Sequence, residues 1–189
     1  MRDLVYYIAT TIDGRIAAPD GDTGFLNTQF DTAAALFDRY PETCPAHMRE
    51  IFQISAPSAR FDTVVMGRNT HQAAIDAGFS SAYPHLRQLV ATNRELPSDP
   101  TVEQISGDIR KLVAELKQQP GSDIWLCGGA NAAAQLMELV DEVQIKVNPV
   151  LAGEGIPLFA SGFAPSHWRH VSSEPVPGDV TILTYRRPE

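Results

Sequence analysis

The sequence predicts an α/β fold: a mostly parallel sheet with helices on both faces and an antiparallel hairpin at its end. Three observations carry that expectation. Short β-branched and apolar strings alternate with helix-like segments, the pattern of strand–helix repeats around a parallel sheet. Three of the strings stop at a glycine or polar turn with a helix close behind. The last two are joined tightly, which suits a hairpin rather than a crossover. A chain of 189 residues suits one domain, 1–189, and can bury enough surface to fold without disulfides or metal.

Taken in order, Leu4 to Ile12 reads as the first strand, followed by turns at Asp13-Gly14 and Pro19 to Asp22. Thr28 to Ser55 reads as mostly helical, interrupted near Pro41 and Pro45, where proline cannot donate the helical hydrogen bond. Asp62 to Met66 is a buried-strand candidate that stops at Gly67 and enters a helix near Thr70. Leu89 to Ala91 is another strand, ending at Thr92-Asn93-Arg94. The clearest helix runs from Asp108 to Gln118, where Ile109, Leu112, Val113 and Leu116 share one face, Ser106 or Asp108 caps the start and Pro120-Gly121 ends it. Ile124 to Cys127 then leads through Gly128-Gly129 into a helix reaching Val140. Val143 to Val147 alternates polar residues, expected outward, with apolar residues, expected inward. His167 to Ser173 and Val180 to Tyr185 complete the strands.

The formal charge of −8 argues against nucleic acid as a partner, because phosphate backbones reward basic surfaces. It leaves room for one anionic small ligand held by local arginines and helix N-termini. No apolar run approaches the ~18 residues needed to cross a bilayer, so no membrane partner is expected. The start lacks a signal-peptide pattern, and Cys44 and Cys127 have no metal-type spacing; both point to reduced thiols in a cytoplasmic protein.

In open α/β sheets, ligands bind beyond the carboxyl ends of the strands, where helix starts offer unpaired N–H groups. Three turns fit that position: Gly67-Arg68-Asn69-Thr70, Thr92-Asn93-Arg94 and Gly128-Gly129-Ala130-Asn131. Gly67 and Gly129 would let a diphosphate approach the backbone, and Arg68 and Arg94 would supply cations suited to a 2′-phosphate. Each turn alone is as readily an ordinary tight turn or a solvated arginine. The chain lacks both G-x-G-x-x-G and the P-loop pattern.

The ordered set Ile12-Asp13-Gly14-Arg15-Ile16-Ala17, Val65-Met66-Gly67-Arg68, Ala91-Thr92-Asn93-Arg94 and Cys127-Gly128-Gly129-Ala130 resembles the dihydrofolate reductase fold family. Within it, the chain is most similar to the reductase domain of bacterial riboflavin biosynthesis and its free-standing relatives, a likeness extended by Asn148 to Phe159. The resemblance implies a single three-layer domain and NADPH as cofactor. Ala9 and Ile16 would flank the nicotinamide. Gly67, Arg68 and Thr70 would hold phosphates, while Thr92, Asn93 and Arg94 would face the adenosine and its 2′-phosphate. Gly128 and Gly129, with Ala130 and Asn131 behind them, would press on the diphosphate, with an unusual cis peptide between the glycines.

The implied substrate is a heterocyclic metabolite, in first place the aminouracil ribosyl compound of riboflavin synthesis. Dihydrofolate is the alternative, and a non-catalytic NADPH-binding module a third reading. Asp13, Asp31 and Glu154 are the candidate proton donors or polarising groups. Asp13 before a glycine could equally serve its own turn, and Asp31 could simply favour a helix start. His71, beside the phosphate turn, reads as a surface imidazole. Homodimerisation is a family expectation, with Val143 to Val147 and the C-terminal hairpin as candidate contacts.

Overall fold

A computed structural model describes residues 1–26, 29–160, 162 and 164–188. The expected helix start at Thr28 lies outside them. Along the chain, β1 (Leu4–Thr10) and the short β2 (Arg15–Ala17) precede α1 (Phe30–Arg39) and α2 (Ala46–Arg49). Next come β3 (Phe61–Gly67), α3 (Arg68–Asp76), β4 (Arg87–Ala91), β5 (Val102–Ile105) and α4 (Ile109–Gln118). β6 (Asp123–Gly128), α5 (Ala130–Leu136), β7 (Glu142–Val147), β8 (Ile156–Pro157), β9 (Arg169–Val176) and β10 (Val180–Arg186) follow.

Eight strands form one sheet in the order β5-β4-β3-β6-β1-β7-β10-β9. Neighbours from β5 to β7 run parallel, whereas β10 is antiparallel to both β7 and β9. β2 and β8 pair separately. Successive strand residues point to opposite faces, and the core divides accordingly. Leu4, Tyr6, Val65, Leu89, Ile124 and Leu126 pack on one face with α4 and α5. Val5, Tyr7, Val64, Met66, Val90 and Trp125 pack on the other with Tyr40, at the end of α1. The step β3-α3-β4 runs across the sheet opposite to β5-α4-β6, so right-handed crossovers put α3 and α4 on opposite faces.

Several expected boundaries move for identifiable reasons. β1 ends at Thr10 because Thr11 N–H turns to the Arg15 carbonyl and Ile12 N–H to that of Val150. The helical stretch to Ser55 breaks into α1, a 3-10 turn at Pro41–Thr43 and α2. Asp108, not Ser106, caps α4, accepting from the Arg110 and Lys111 amides at 2.9 and 3.1 Å. α5 ends at Leu136 and tightens into a 3-10 turn before Val140.

β7 departs most from expectation. It lies between β1 and β10, and its polar residues do not face solvent: Glu142 and Gln144 are buried and Lys146 is half-buried. Gln144 is 2% exposed and donates to the Tyr40 hydroxyl at 3.0 Å and to Glu142 at 2.6 Å. Glu142, also buried, accepts both ends of the Arg60 guanidinium at 2.6 and 3.2 Å. An interior strand offers no free edge to a partner; the sheet's edges belong to β5 and β9.

Candidate active-site cleft

Parallel pairing brings the carboxyl ends of β4, β3, β6, β1 and β7 to one edge of the sheet, where the glycine and polar turns line up. Gly67 pairs with Ala91 across β3–β4, and Met66 with Gly128 across β3–β6. A Cβ added to Gly67 would lie 3.8 Å from the Gly129 nitrogen and 3.9 Å from the Gly128 oxygen; one added to Gly129 would lie 3.5 Å from Thr70 Oγ1. The first and third turns therefore touch. The Gly128–Gly129 peptide is cis. α3 and α5 both start at a glycine that provides no side-chain cap, which leaves their first N–H groups available. Ala130 is buried against the sheet, and Asn131 is exposed beside it.

At the next strand end, Thr92 Oγ1 accepts from Arg94 N–H at 3.0 Å and fixes the turn through Asn93. Arg94 is exposed and enters no ion pair among the described residues. Arg68 leans across the same edge, donating to the Glu95 carbonyl at 3.2 Å and to Gln72 at 3.4 Å. His71 corrects the expectation of a surface imidazole. On the inner side of α3 it is 2% exposed, its Nδ1 lacks a partner, and burial followed by the nearby Arg68 charge lowers its pKa. A neutral imidazole results.

Beside the turns, on the Trp125 face, lies a cavity of about 380 Å³. β1 contributes Tyr7, Ile8 and Ala9, β2 contributes Ile16, and α1 contributes Leu36 and Phe37. Trp125 and Cys127 of β6, Lys146 of β7 and Tyr83 form more of the wall. Two proposed nicotinamide neighbours, Ala9 and Ile16, thus share one cavity. Lys146 is the one charged side chain among its described lining residues. Its ammonium sits 3.8 Å from the centre of the Tyr7 ring, and burial lowers its pKa to about 8. Burial pushes the Cys127 thiol up to about 12 and holds the Tyr7 and Tyr83 phenols well above their ordinary range, so all three stay protonated at neutral pH. A second cavity of about 390 Å³, near Met137, Ile145 and Trp168, has no charged side chain in its described lining.

The three carboxylates do not gather there. Asp13 accepts from the Thr11 hydroxyl at 2.7 Å and from the Ala152 and Gly153 amides at 3.1 and 2.7 Å. Those bonds, the Thr11 hydroxyl foremost, lower its pKa to about 2, so it is ionised at neutral pH and ties the 150–155 loop to the first turn. Asp31 is exposed in the first turn of α1, and α1 meets the cavity through Leu36 and Phe37 instead. Glu154 is exposed between Gly153 and Gly155, outside the cavity's described lining.

Sequence reasoning missed Lys146, Tyr7, Tyr83 and Cys127. For Lys146 a usable signal existed: a lysine inside a strand that a parallel sheet would bury on both faces.

Comparison with known proteins follows the same lines. The sequence profile of the RibD C-terminal domain matches residues 2–182. The chain is 31% identical over 163 residues to the uncharacterized Bacillus subtilis protein YwjB, covering 84% of this chain and 83% of that protein. Among solved structures, a Shewanella sp. PV-4 protein named for riboflavin biosynthesis is similar over 100% of both chains, with a TM-score of 0.72 and 24% identity. Enterococcus faecalis dihydrofolate reductase, solved with NADP(H), matches at a TM-score of 0.68 and 15% identity, over 99% of this chain and 97% of that one. A Thermotoga maritima diaminohydroxyphosphoribosylaminopyrimidine deaminase/5-amino-6-(5-phosphoribosylamino)uracil reductase matches at a TM-score of 0.65 and 16% identity. The match covers 99% of this chain and 57% of that protein. At these identities the structural likenesses establish the fold.

Proposed function

The chain belongs to the RibD C-terminal domain family, and from that premise we propose that it is an NADPH-dependent reductase of a heterocyclic metabolite. The observation that carries this reading is the row of three turns at the strand ends, beside a cavity that Ala9 and Ile16 line. Residues of this chain suit a dinucleotide phosphate. Gly67 and Gly129 carry no side chain of their own over their backbone, with Thr70 Oγ1 beside Gly129, and the exposed Arg94 has no competing carboxylate among the described ion pairs. When bound, NADPH would supply a hydride to the acceptor. The helix starts and Arg68 would hold its diphosphate, Thr92 and Asn93 would flank the adenosine, and Arg94 would select the 2′-phosphate. Apolar walls at Ile8, Leu36 and Phe37 would exclude water from the reacting atoms.

The favoured acceptor is the phosphoribosylaminouracil class, in keeping with the family and with the activity named for the Thermotoga relative. Dihydrofolate fits less well, because the resemblance to dihydrofolate reductases would assign Asp31 as the substrate-binding carboxylate, and Asp31 stands outside the cavity's described lining. NADPH consumption, measured with each acceptor in turn, tests the proposal. Turnover with 5-amino-6-(5-phosphoribosylamino)uracil and silence with dihydrofolate is the expected result. Tight NADPH binding without oxidation by any acceptor would instead make the chain a cofactor-binding module.

A further inference from the structure

A reductase cleft must handle the charge that appears on the acceptor. Hydride reaches the carbon of a C=N or C=O group, the π pair moves to nitrogen or oxygen, and that atom needs a proton or a cation. None of the three carboxylates stands in the described lining of the cavity. Asp13 is ionised and occupied by the loop it ties, and Asp31 and Glu154 lie outside the described cavity lining. Within the lining, Cys127, Tyr7 and Tyr83 are neutral groups that hold their protons firmly.

Lys146 differs from all of these. It faces Ala9 directly in the β1–β7 register, which puts it beside the proposed nicotinamide position. Its ammonium enters no ion pair among the described residues; it rests on the Tyr7 ring, with the Cys127 thiol nearby. An unpaired ammonium in a largely apolar cavity is costly to fold around, and a ligand atom rich in electrons removes that cost. Flat walls at Tyr7, Phe37 and Trp125, in a volume of about 380 Å³, suit a planar ring as the carrier of that atom.

We propose that Lys146 is the substrate-side cation of the cleft: its ammonium takes an oxygen or nitrogen of a planar heterocyclic acceptor and protonates it as the neighbouring carbon is reduced. In that step an N–H bond of Lys146 breaks, a bond from the heteroatom to hydrogen forms, and the neutral amine regains its proton from solvent. The groups facing the amine are Tyr7 from β1 and Cys127 from β6, and Tyr83 shares the cavity wall; all three are uncharged at neutral pH. Burial keeps the Lys146 proton poised near neutrality, where it can be given up and recovered. The role deepens the reductase reading and rests on it.

The test uses barbiturate, a planar pyrimidine anion, with neutral uracil as control, on the full chain without cofactor. Binding is read from tryptophan fluorescence in a Trp168→Phe background, which leaves Trp125, and from the Lys146 side-chain carbon resonance across pH. Barbiturate should bind more tightly than uracil and raise the Lys146 midpoint above about 8. Lys146→Met should weaken barbiturate at least ~10-fold, and Lys146→Arg should retain part of it. Absence of barbiturate binding, equal binding to Lys146→Met, or an unmoved Lys146 resonance would overturn the proposal. A protein that passes these tests yet binds no NADPH would keep the anion site and lose the reductase reading, so the two failures are distinct. With a turned-over acceptor, Lys146→Met should lower kcat by ~10²–10⁴-fold with a smaller change in KM.

Discussion

The Lys146 ammonium stands 3.8 Å from the centre of the Tyr7 ring, held there by a β1–β7 register that sets Lys146 against Ala9. The pair makes β7 the chemical wall of the cavity, although its polar residues look from their alternation like a solvent face. The position has a thermodynamic signature. Folding lowers the lysine from its ordinary 10.5 to about 8, so between those values the unfolded chain holds a proton that the folded chain has released. Stability therefore rises with pH across that window, and the full penalty is present below it. The penalty is at most about 3–4 kcal/mol, at ~1.36 kcal/mol per pH unit. Lys146→Met should raise Tm at pH 7 by a few degrees, with the gain shrinking toward pH 10.5. Equal melting of the two proteins at pH 7 would mean that the amine is well solvated.

Asp13 should act as a tether whose strength depends on acid. Its pKa falls from 3.8 to about 2 on folding, so its contribution is complete above the higher value and is lost as pH falls through the lower one. Asp13→Ala should speed amide exchange at Ala152 and Gly153 at least ~10-fold, with little change in global Tm, because the site is exposed. Unchanged exchange would show that the loop holds itself.

Gly155→Ala tests the same loop from its other side. Gly155 has φ +143°, and a Cβ there would meet the Ala17 carbonyl oxygen at 2.5 Å. The substitution should cost about 2–4 kcal/mol and loosen the β2–β8 pair that carries Ile16 into the cavity. Chemical denaturation reads the first effect and NADPH affinity the second. A fully stable variant would mean that the loop can move away from Ala17.

How much of this was legible depended on whether the information was local. The turns at Gly67, Thr92 and Gly128 announced themselves, because glycine, threonine and asparagine after an apolar string carry a specific backbone meaning. The apolar face of α4 was equally plain, while its cap was narrowed only to Ser106 or Asp108 and the structure chose Asp108. The edge strand β5 was not, since Glu103 and Gln104 are exposed and give no apolar pattern. β2 and β8 are too short to show one. His71 escaped because a polar side chain turns inward only when another element covers it, and no local pattern reveals that cover; Lys146 was signalled only by its place inside a strand of a parallel sheet. The carboxylates misled in the opposite way, because chemistry-bearing residues in loops near a cleft attract a catalytic reading, whereas Asp13 spends its oxygens on backbone amides.

The most direct measurement is a titration of the purified chain with NADPH and NADH, repeated on Arg94→Ala. The account predicts a preference for NADPH of at least ~10-fold, largely abolished in the variant while NADH affinity stays within ~2-fold, because Arg94 would touch only the 2′-phosphate. Failure of the wild-type protein to bind either cofactor would contradict the central claim, and equal affinity for the two would remove the assigned role of Arg94.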